Sequence, residues 1–195
     1  MARRLREPRA DIPPNGLTDV KGGELNWEAC ITMNGSWGYH AQDKFFKPAD
    51  MLIRKLVECV SKGGNLLLNV GPDAQGRIPA RSLEILSEIG EWMDKYSASI
   101  YGCGKAGIAK PDYGRITRNG KKLYFHVFEN TVGAIPLTGI THDEVAYVRR
   151  LSDGSEAKIE HGWIYDNYPD VVFCGLSDDP VLEDKTDTVI EVTLK

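Results

Sequence analysis

The first clear hydrophobic pattern along this chain lies between residues 27 and 97. A short segment with β-branched residues, 27–33, is followed by apolar positions at helical spacing over 48–60. A continuous apolar run over 65–70 comes next, and helical spacing returns over 80–96. A run that is apolar on both faces is typical of a parallel strand covered on both sides. The pattern therefore predicts strand, helix, strand, helix, which requires a parallel sheet.

Beyond about residue 105 the apolar positions recur every second residue, the period of a strand with one buried face. This alternation predicts strands over 122–128, 145–149, 171–174 and 188–194, with turn residues between them. Short strands separated in this way favour an antiparallel β-sandwich. The predicted fold class is therefore α/β followed by all-β, with one domain over 1–104 and a β-sandwich domain over 105–195.

The first 26 residues show no apolar period. Pro13 and Pro14 precede Asn15-Gly16, and further glycines follow at 22 and 23, so the segment is predicted to be loop. Four arginines, Arg3, Arg4, Arg6 and Arg9, lie in a charged lead-in that reads as a solvated end.

Composition and charge narrow the classes of partner. The 195 residues carry a formal net charge of -4, which argues against nucleic acid or an anionic membrane as the main partner. No apolar run is long enough to cross a bilayer, and no secretory signal is visible at the start. The four cysteines, Cys30, Cys59, Cys103 and Cys174, are scattered, and the apolar surroundings of Cys30 and Cys59 favour buried free thiols, which fits the cytoplasm. No ligand spacing points to a metal or cofactor.

Polar and aromatic residues follow both predicted parallel strands. Asn69 closes the apolar run, and Asn34, Ser36, Trp37 and Tyr39 follow the 27–33 segment. Because the carboxyl ends of parallel strands meet at one edge of a sheet, these side chains are expected to line one rim. Aromatic faces beside hydrogen-bonding groups suit a sugar. The alternative is structural, with Asn69 satisfying backbone groups at a tight turn and Trp37 filling space.

Several long segments resemble a known family. The stretches WEACITMNGSWGYH, LIRKLVECVSKGGNLLLNVGPDAQGRIP, LEILSEIGEWM and SIYG are similar to the carboxyl-terminal half of the family 29 glycoside hydrolases, the α-L-fucosidases. The resemblance runs nearly without gaps from Asn15 to Gly104, and the remainder is similar to the small β-sandwich of that family. It implies that 1–104 holds the last βα units of a (β/α)8 barrel.

The resemblance also implies a retaining mechanism, in which one carboxylate attacks the anomeric carbon of fucose and a second acid protonates the leaving oxygen. In retaining enzymes the two carboxyl groups lie about 5–5.5 Å apart. The family nucleophile is an Asp in a W-x-D context on an earlier strand, which we expect this chain to lack. The chain also departs from the family at a T-P-E segment, because Arg9-Ala10-Asp11-Ile12 runs straight into Pro13. Arg3 or Arg4 would match the arginine of the preceding N-x-R.

Glu28, in the Trp27-Glu28 pair, is the remaining acid/base candidate by resemblance. Its predicted place is the amino end of a strand, where residues of such barrels usually serve stability. The alternative is a structural ion pair with one of the arginines near the start of the chain.

Three interpretations remain open. The chain is a fragment of an α-L-fucosidase without its nucleophile, a non-catalytic carbohydrate-binding or interaction module, or one half of a split fucosidase. The expected ligand is a fucosylated oligosaccharide or glycoconjugate in each case. The expected protein partner is a complementary barrel chain, or a second copy through unpaired strand edges.

Overall fold

A computed structural model describes residues 6–9, 12–163, 167–175, 182 and 184–195, with the backbone alone over 6–9. The chain folds into two compact units, Met1–Asp94 and Lys95–Lys195. The domain boundary expected from the change of hydrophobic period, after residue 104, lies ten residues later than this division. Residues 95–104 lie between the two boundaries. They form the end of the second helix and the turns after it, where the spacing of apolar residues does not indicate a domain boundary.

The first unit is built around a three-stranded parallel sheet. Its strands and helices are β1 (Arg6–Arg9), β2 (Leu17–Thr18), β3 (Glu24–Leu25), β4 (Trp27–Thr32), α1 (Ala49–Ser61), β5 (Asn65–Asn69) and α2 (Ala80–Tyr96). The sheet order is β1-β4-β5, and β4 pairs with β5 in parallel from Glu28↔Asn65 to Thr32↔Asn69. The predicted strand, helix, strand, helix series over 27–97 is confirmed.

The prediction that residues 1–26 are loop is wrong for three short strands. β1 pairs in parallel with β4, with Arg6 opposite Trp27, and β2 pairs with β3 in a small antiparallel hairpin. A four-residue strand of sequence REPR has no apolar alternation, so its state depends on the partner strand and not on local pattern. Arg3 and Arg4 lie outside the described residues.

Local signals account for both ends of α1. Pro48 precedes the first helical residue with φ -68°, and a fixed φ near this value is compatible with a helix start. Leu52, Ile53 and Val57 then form its buried stripe. The helix ends at Ser61, and Gly63 follows two residues later with a φ of 74°, in the left-handed region that glycine adopts without a Cβ clash.

The burial expected for the run Leu66-Leu67-Leu68 is only half correct. Leu66 and Leu68 are partly buried and share one face, where they pack against two apolar clusters of the first unit. Leu67 points the other way and is 46% exposed. The exposure of Leu67 shows that the second face of β5 is open to solvent there, and β5 is also an edge strand of the described sheet. The prediction of a strand buried on both faces is therefore wrong for the chain as described.

The second unit is antiparallel throughout its described strands. They are β6 (Gly104–Lys105), β7 (Gly114–Asn119), β8 (Lys122–Val127), β9 (Ile135–Thr138), β10 (Val145–Arg150), β11 (Lys158–Ile159), β12 (Val171–Gly175) and β13 (Thr188–Leu194). One sheet has the order β10-β13-β8-β7-β6 and the other β11-β12-β9. Phe125 and Ile190 of the larger sheet share one core with Leu137 and Val172 of the smaller. The four predicted strands are confirmed as β8, β10, β12 and β13, and the other four described strands, β6, β7, β9 and β11, were missed.

Candidate functional site

The carboxyl ends of β4 and β5 lie side by side, as the parallel pairing requires. Thr32 is the register partner of Asn69, and the amide of Met33 donates to the carbonyl oxygen of Asn69 at 3.3 Å. The segment after β4 and the turn after β5 therefore leave the sheet at one edge, which we call the rim.

Asn69 holds the segment that follows β4. Its side-chain Nδ2 donates to the carbonyl oxygen of Trp37 at 2.7 Å, across 32 residues of sequence. Gly71 packs against the same backbone, because a Cβ at this position would lie 2.6 Å from the carbonyl carbon of Gly38. The amide at the strand end and the glycine after it thus hold the loop carrying Trp37 against the turn after β5.

Two charged side chains organise the remainder of that loop. The Lys47 ammonium donates to the carbonyl oxygens of Thr32 at 2.7 Å and Asn34 at 2.9 Å. The Asp43 carboxylate accepts from the amide of Gly35 at 2.9 Å. Charge-assisted bonds to backbone are among the stronger hydrogen bonds, so both ions stabilise the loop conformation.

The rim exposes aromatic surface beside a pocket of about 230 Å³. Trp37 is 58% exposed and Tyr39 is 53% exposed. Tyr39 and Asn69 line the pocket, together with Asn34 and Asp43, whereas Trp37 lies outside its lining. Trp37, Tyr39 and Asn69 were the predicted sugar-binding residues. The structure brings Tyr39 and Asn69 to one cavity and places Trp37 on the loop that Asn69 holds.

Glu28 is not brought to the rim. It is the second residue of β4 and pairs in register with Asn65, the first residue of β5. Four residues of extended strand, about 13 Å, separate it from Thr32 at the rim. An ion pair between Glu28 and the early arginines would involve side chains outside the described part of the chain. The position of Glu28 at the amino end of its strand is as expected.

The aspartates near the rim serve turns and helix starts. The Asp43 carboxylate also accepts from the amide of Phe45 at 3.2 Å, and Asp50 accepts from the amide of Met51 at 2.8 Å. Asp73 accepts from the amide of Arg77 at 2.9 Å, and this bond in particular lowers the pKa of the Asp73 carboxyl. All three bonds are of the kind by which a carboxylate caps a helix start or closes a turn.

A W-x-D triplet does occur in the chain, contrary to the expectation above. It is Trp92-Met93-Asp94, and it lies in α2 instead of at the end of a strand. Trp92 is buried and Asp94 is exposed on the helix surface. The triplet therefore does not place a carboxylate at the rim.

Sequence reasoning missed the contribution of α2 to the pocket. His40, Lys44, Arg81 and Ser82 all line it, and Arg81 and Ser82 belong to the first turn of α2. The usable signal was Pro79, a residue that often precedes a helix and here follows the turn after β5. In a βα unit the helix begins near the carboxyl end of the preceding strand, which brings its first turn to the rim.

A second polar cluster lies inside the second unit. Asp187 Oδ2 is 2.7 Å from Nδ1 of His126, and Nε2 of His126 is 3.2 Å from the Thr117 hydroxyl. The order carboxylate, imidazole, hydroxyl resembles that of a catalytic triad. All three residues are fully buried, however, so a substrate cannot reach the hydroxyl.

Three further expectations from the sequence concern cysteines, metal sites and membrane-spanning helices. All four cysteines are free thiols, and Cys30 and Cys59 are buried as predicted. Among the described residues, no group of three or more potential ligands is placed to hold a metal ion. The same residues include no helix long and apolar enough to cross a membrane.

Known proteins that are similar to this chain in sequence are described as alpha-L-fucosidases. Residues 12–98 match the family model described as Alpha-L-fucosidase. An Alpha-L-fucosidase of Dictyostelium discoideum is 42% identical over 109 residues, which cover 53% of this chain and 23% of that protein. A Plasma alpha-L-fucosidase of Rattus norvegicus is 34% identical over 109 residues, or 52% of this chain and 24% of its own length. The chain thus spans about a quarter of the curated relatives it matches.

Solved structures agree with the sequence matches. Alpha-L-fucosidase isoenzyme 1 from Paenibacillus thiaminolyticus superposes with a TM-score of 0.91 at 47% identity, covering 96% of this chain and 44% of that one. A Bacteroides thetaiotaomicron alpha-L-fucosidase, trapped as a covalent intermediate with 2-fluoro-fucosyl fluoride, gives a TM-score of 0.76 at 25% identity, covering 99% and 42%. The resemblance seen in the sequence motifs is confirmed.

Proposed function

Residues 12–98 match the α-L-fucosidase family model, and we propose on this basis that the chain forms one side of the fucoside-binding site of a retaining glycoside hydrolase. The substrate is a terminal α-L-fucoside of an oligosaccharide or glycoconjugate. Trp37 and Tyr39 supply aromatic faces for the apolar side of the sugar ring, and Asn69 holds the loop that presents them.

The observation that carries this proposal is the bond between the Asn69 side chain and the Trp37 carbonyl. It joins the two motifs of the family resemblance, the stretch containing NGSWGY and the stretch containing NLLLNVGP, at one rim. Two half-exposed aromatic rings beside a pocket match what a saccharide requires: C–H faces to stack and nearby polar groups to orient its hydroxyls.

We further propose that β4, α1, β5 and α2 are the last two βα units of a (β/α)8 barrel. In such barrels the active site lies at the carboxyl ends of the strands, which is where this rim is found. The two sheets of the second unit then form the small β-sandwich of the family. Their shared apolar core supports that assignment.

The lining of the rim pocket, as described, has one carboxylate where the chemistry needs two. Of the rim-lining side chains, Asp43 is the acidic one, and its oxygens already accept from the backbone amides of Gly35 and Phe45. Retaining hydrolysis needs a nucleophile and an acid/base about 5–5.5 Å apart. Glu28 lies toward the other end of β4. The described residues therefore supply no nucleophile at the rim, and the chain alone is expected not to turn over a fucoside.

The test has a binding arm and a turnover arm. The purified chain is titrated with L-fucose while tryptophan fluorescence is followed, and Trp37→Ala is compared with Trp163→Ala, an exposed tryptophan of the second unit. Saturable quenching that is lost in Trp37→Ala and kept in Trp163→Ala supports the proposal. L-fucose without effect on the chain, or an effect retained in Trp37→Ala, overturns it.

The turnover arm uses an aryl α-L-fucoside with the same chain and a Glu28→Ala control. No release above buffer is expected. Turnover that disappears in Glu28→Ala would make Glu28 the acid/base and overturn its assignment to the inactive end of the strand. Adding a chain that carries earlier barrel strands separates two further interpretations: restored turnover indicates a split fucosidase, and binding without turnover in either case indicates a carbohydrate-binding module.

A further inference from the structure

The rim pocket is lined on one side by the amino-terminal turn of α2, a helix of 17 residues. The first intrahelical bond runs from the Leu83 amide to the Pro79 carbonyl at 3.1 Å. The amides of Ala80, Arg81 and Ser82 precede that bond and belong to the group that a helix leaves without internal acceptors. Such amides, together with the helix dipole, favour an anion at this end.

Ser82 gives a second, independent indication of a ligand. It is 2% exposed and lines the pocket. The described structure gives this hydroxyl no hydrogen-bond partner, and its oxygen is accessible from the pocket instead of being enclosed by protein. A ligand oxygen in the pocket would supply that partner.

The charges around the pocket have the matching sign. The cationic side chains Lys44 and Arg81 line it, and Asp43 is the acidic residue among the lining side chains. Asp43 directs its carboxylate into its own loop, toward the Gly35 amide and the Ser36 hydroxyl. Arg81 pairs with Glu84 through Nη1 at 2.8 Å. A guanidinium has five donor hydrogens, so this pair leaves others available for a ligand.

We infer that this pocket binds an oxyanion, either a sulfate ester or a carboxylate, through the first turn of α2, the Ser82 hydroxyl and the Arg81 and Lys44 side chains. The volume of about 230 Å³ is several times the roughly 30 Å³ share of one water molecule, so an oxyanion and part of its sugar fit. That the oxyanion belongs to the glycan bearing the fucose rests on the function proposed above. The anion site itself stands on the pocket alone.

The experiment follows backbone amide resonances of the isotopically labelled 195-residue chain by NMR. Sodium methyl sulfate and sodium acetate are titrated separately against sodium chloride at equal ionic strength. A saturable shift at Ala80, Arg81 and Ser82 is expected with at least one probe. Ser82→Ala and Arg81→Gln should each weaken that binding about tenfold, the effect of one charge-assisted hydrogen bond.

Arg77→Gln is the matched control, since it removes the same charge from a guanidinium that pairs with Asp73. It should leave the anion titration unchanged. No saturable shift with either probe, or equal binding in wild type, Ser82→Ala and Arg81→Gln, overturns the site. Saturation by methyl sulfate alone assigns a sulfate ester, and saturation by acetate alone assigns a carboxylate.

Neutral L-fucose separates this inference from the proposed function. A fucose response at the Trp37 indole without any anion response overturns the oxyanion site and leaves the fucoside site standing. An anion response at Ala80–Ser82 without any fucose response keeps the site and overturns its link to a fucosylated glycan.

Discussion

At the scale of single residues, Gly64 shows how closely the end of α1 packs on β4. A Cβ at Gly64 would overlap the indole ring of Trp27. Trp27 is 2% exposed, and its Nε1 donates to the Lys62 carbonyl at 3.3 Å. The indole therefore lies against the backbone of the helix end, and only a residue without a side chain leaves it room.

Gly64→Ala is expected to destabilise the first unit by about 1–3 kcal/mol, because the methyl group overpacks a buried ring that cannot move freely. Gly90→Ala is the matched control. Gly90 lies within α2 with open space around its Cβ position, and alanine is the better helix former by about 0.5–1 kcal/mol. Urea midpoints should move in opposite directions. A Gly64→Ala midpoint equal to wild type would contradict the packing account.

The buried pair of His126 and Asp187 is a second place where single residues are expected to determine stability. The Thr117 hydroxyl donates to the Ser99 carbonyl at 2.7 Å while it contacts the imidazole, so this part of the network is closed. Asp187→Ala removes one partner of a buried pair and should cost about 3–5 kcal/mol. Asp112→Asn, at an exposed turn, should change stability by less than about 0.5 kcal/mol. Thermal unfolding measures both, and similar melting temperatures for the two variants would refute a stabilising role.

At the scale of elements, α1 carries an ion-pair cluster on its last two turns. Glu58 accepts from Lys55 at 2.8 Å and from Lys62 at 2.6 Å. Burial by itself raises the pKa of the Glu58 carboxyl, but the two ammonium groups outweigh it and lower this pKa from 4.5 to about 2. A carboxyl whose pKa is lowered on folding stabilises the folded state above its unfolded pKa and loses that effect as the pH falls.

Glu58→Gln should therefore lower stability at pH 7 by about 1–3 kcal/mol, and the difference from wild type should shrink as the pH falls from 4.5 toward 2. Glu88→Gln is the control, since Glu88 is exposed on α2 and lies 3.9 Å from Arg81. Urea unfolding at several pH values measures both variants. A Glu58→Gln deficit that persists unchanged at the lowest pH would disprove the electrostatic origin.

At the scale of the whole molecule, the described sheet of the first unit ends at β5. Leu67 is 46% exposed on that edge strand, and an apolar side chain on an open strand edge favours pairing with another chain. The chain alone is therefore expected to self-associate, unless a complementary barrel chain takes the same edge. Light scattering at micromolar concentration is the measurement.

Leu67→Lys should reduce the self-association, because a charged residue on an edge strand opposes edge-to-edge pairing. Met51→Lys is the matched control: Met51 is 45% exposed, but on a helix surface. A monodisperse monomer of the wild-type chain, or equal effects of the two substitutions, would remove the strand edge as the cause.

The sequence alone determined most helices and strands of the first unit and some strands of the second, because the signals that define them lie within a few neighbouring residues. Pro48 and Gly63 mark the ends of α1, and the alternation over 122–127 is enough to define β8. The rim was predictable in the same way. Polar residues after two parallel strands must meet at one edge, and Asn69 and the loop carrying Trp37 do so.

Only the tertiary structure decided which faces are covered. The segment of helical spacing over 80–96 includes both Leu83 and Ile85, yet Leu83 is 52% exposed and Ile85 is fully buried. Periodicity reports the spacing of a stripe but not the direction of the partner that covers it. The same reason applies to three other features: the pairing of β1, the open face of Leu67 and the position of Ser82 at the rim pocket. Each depends on contacts between residues distant in sequence, which no local pattern encodes.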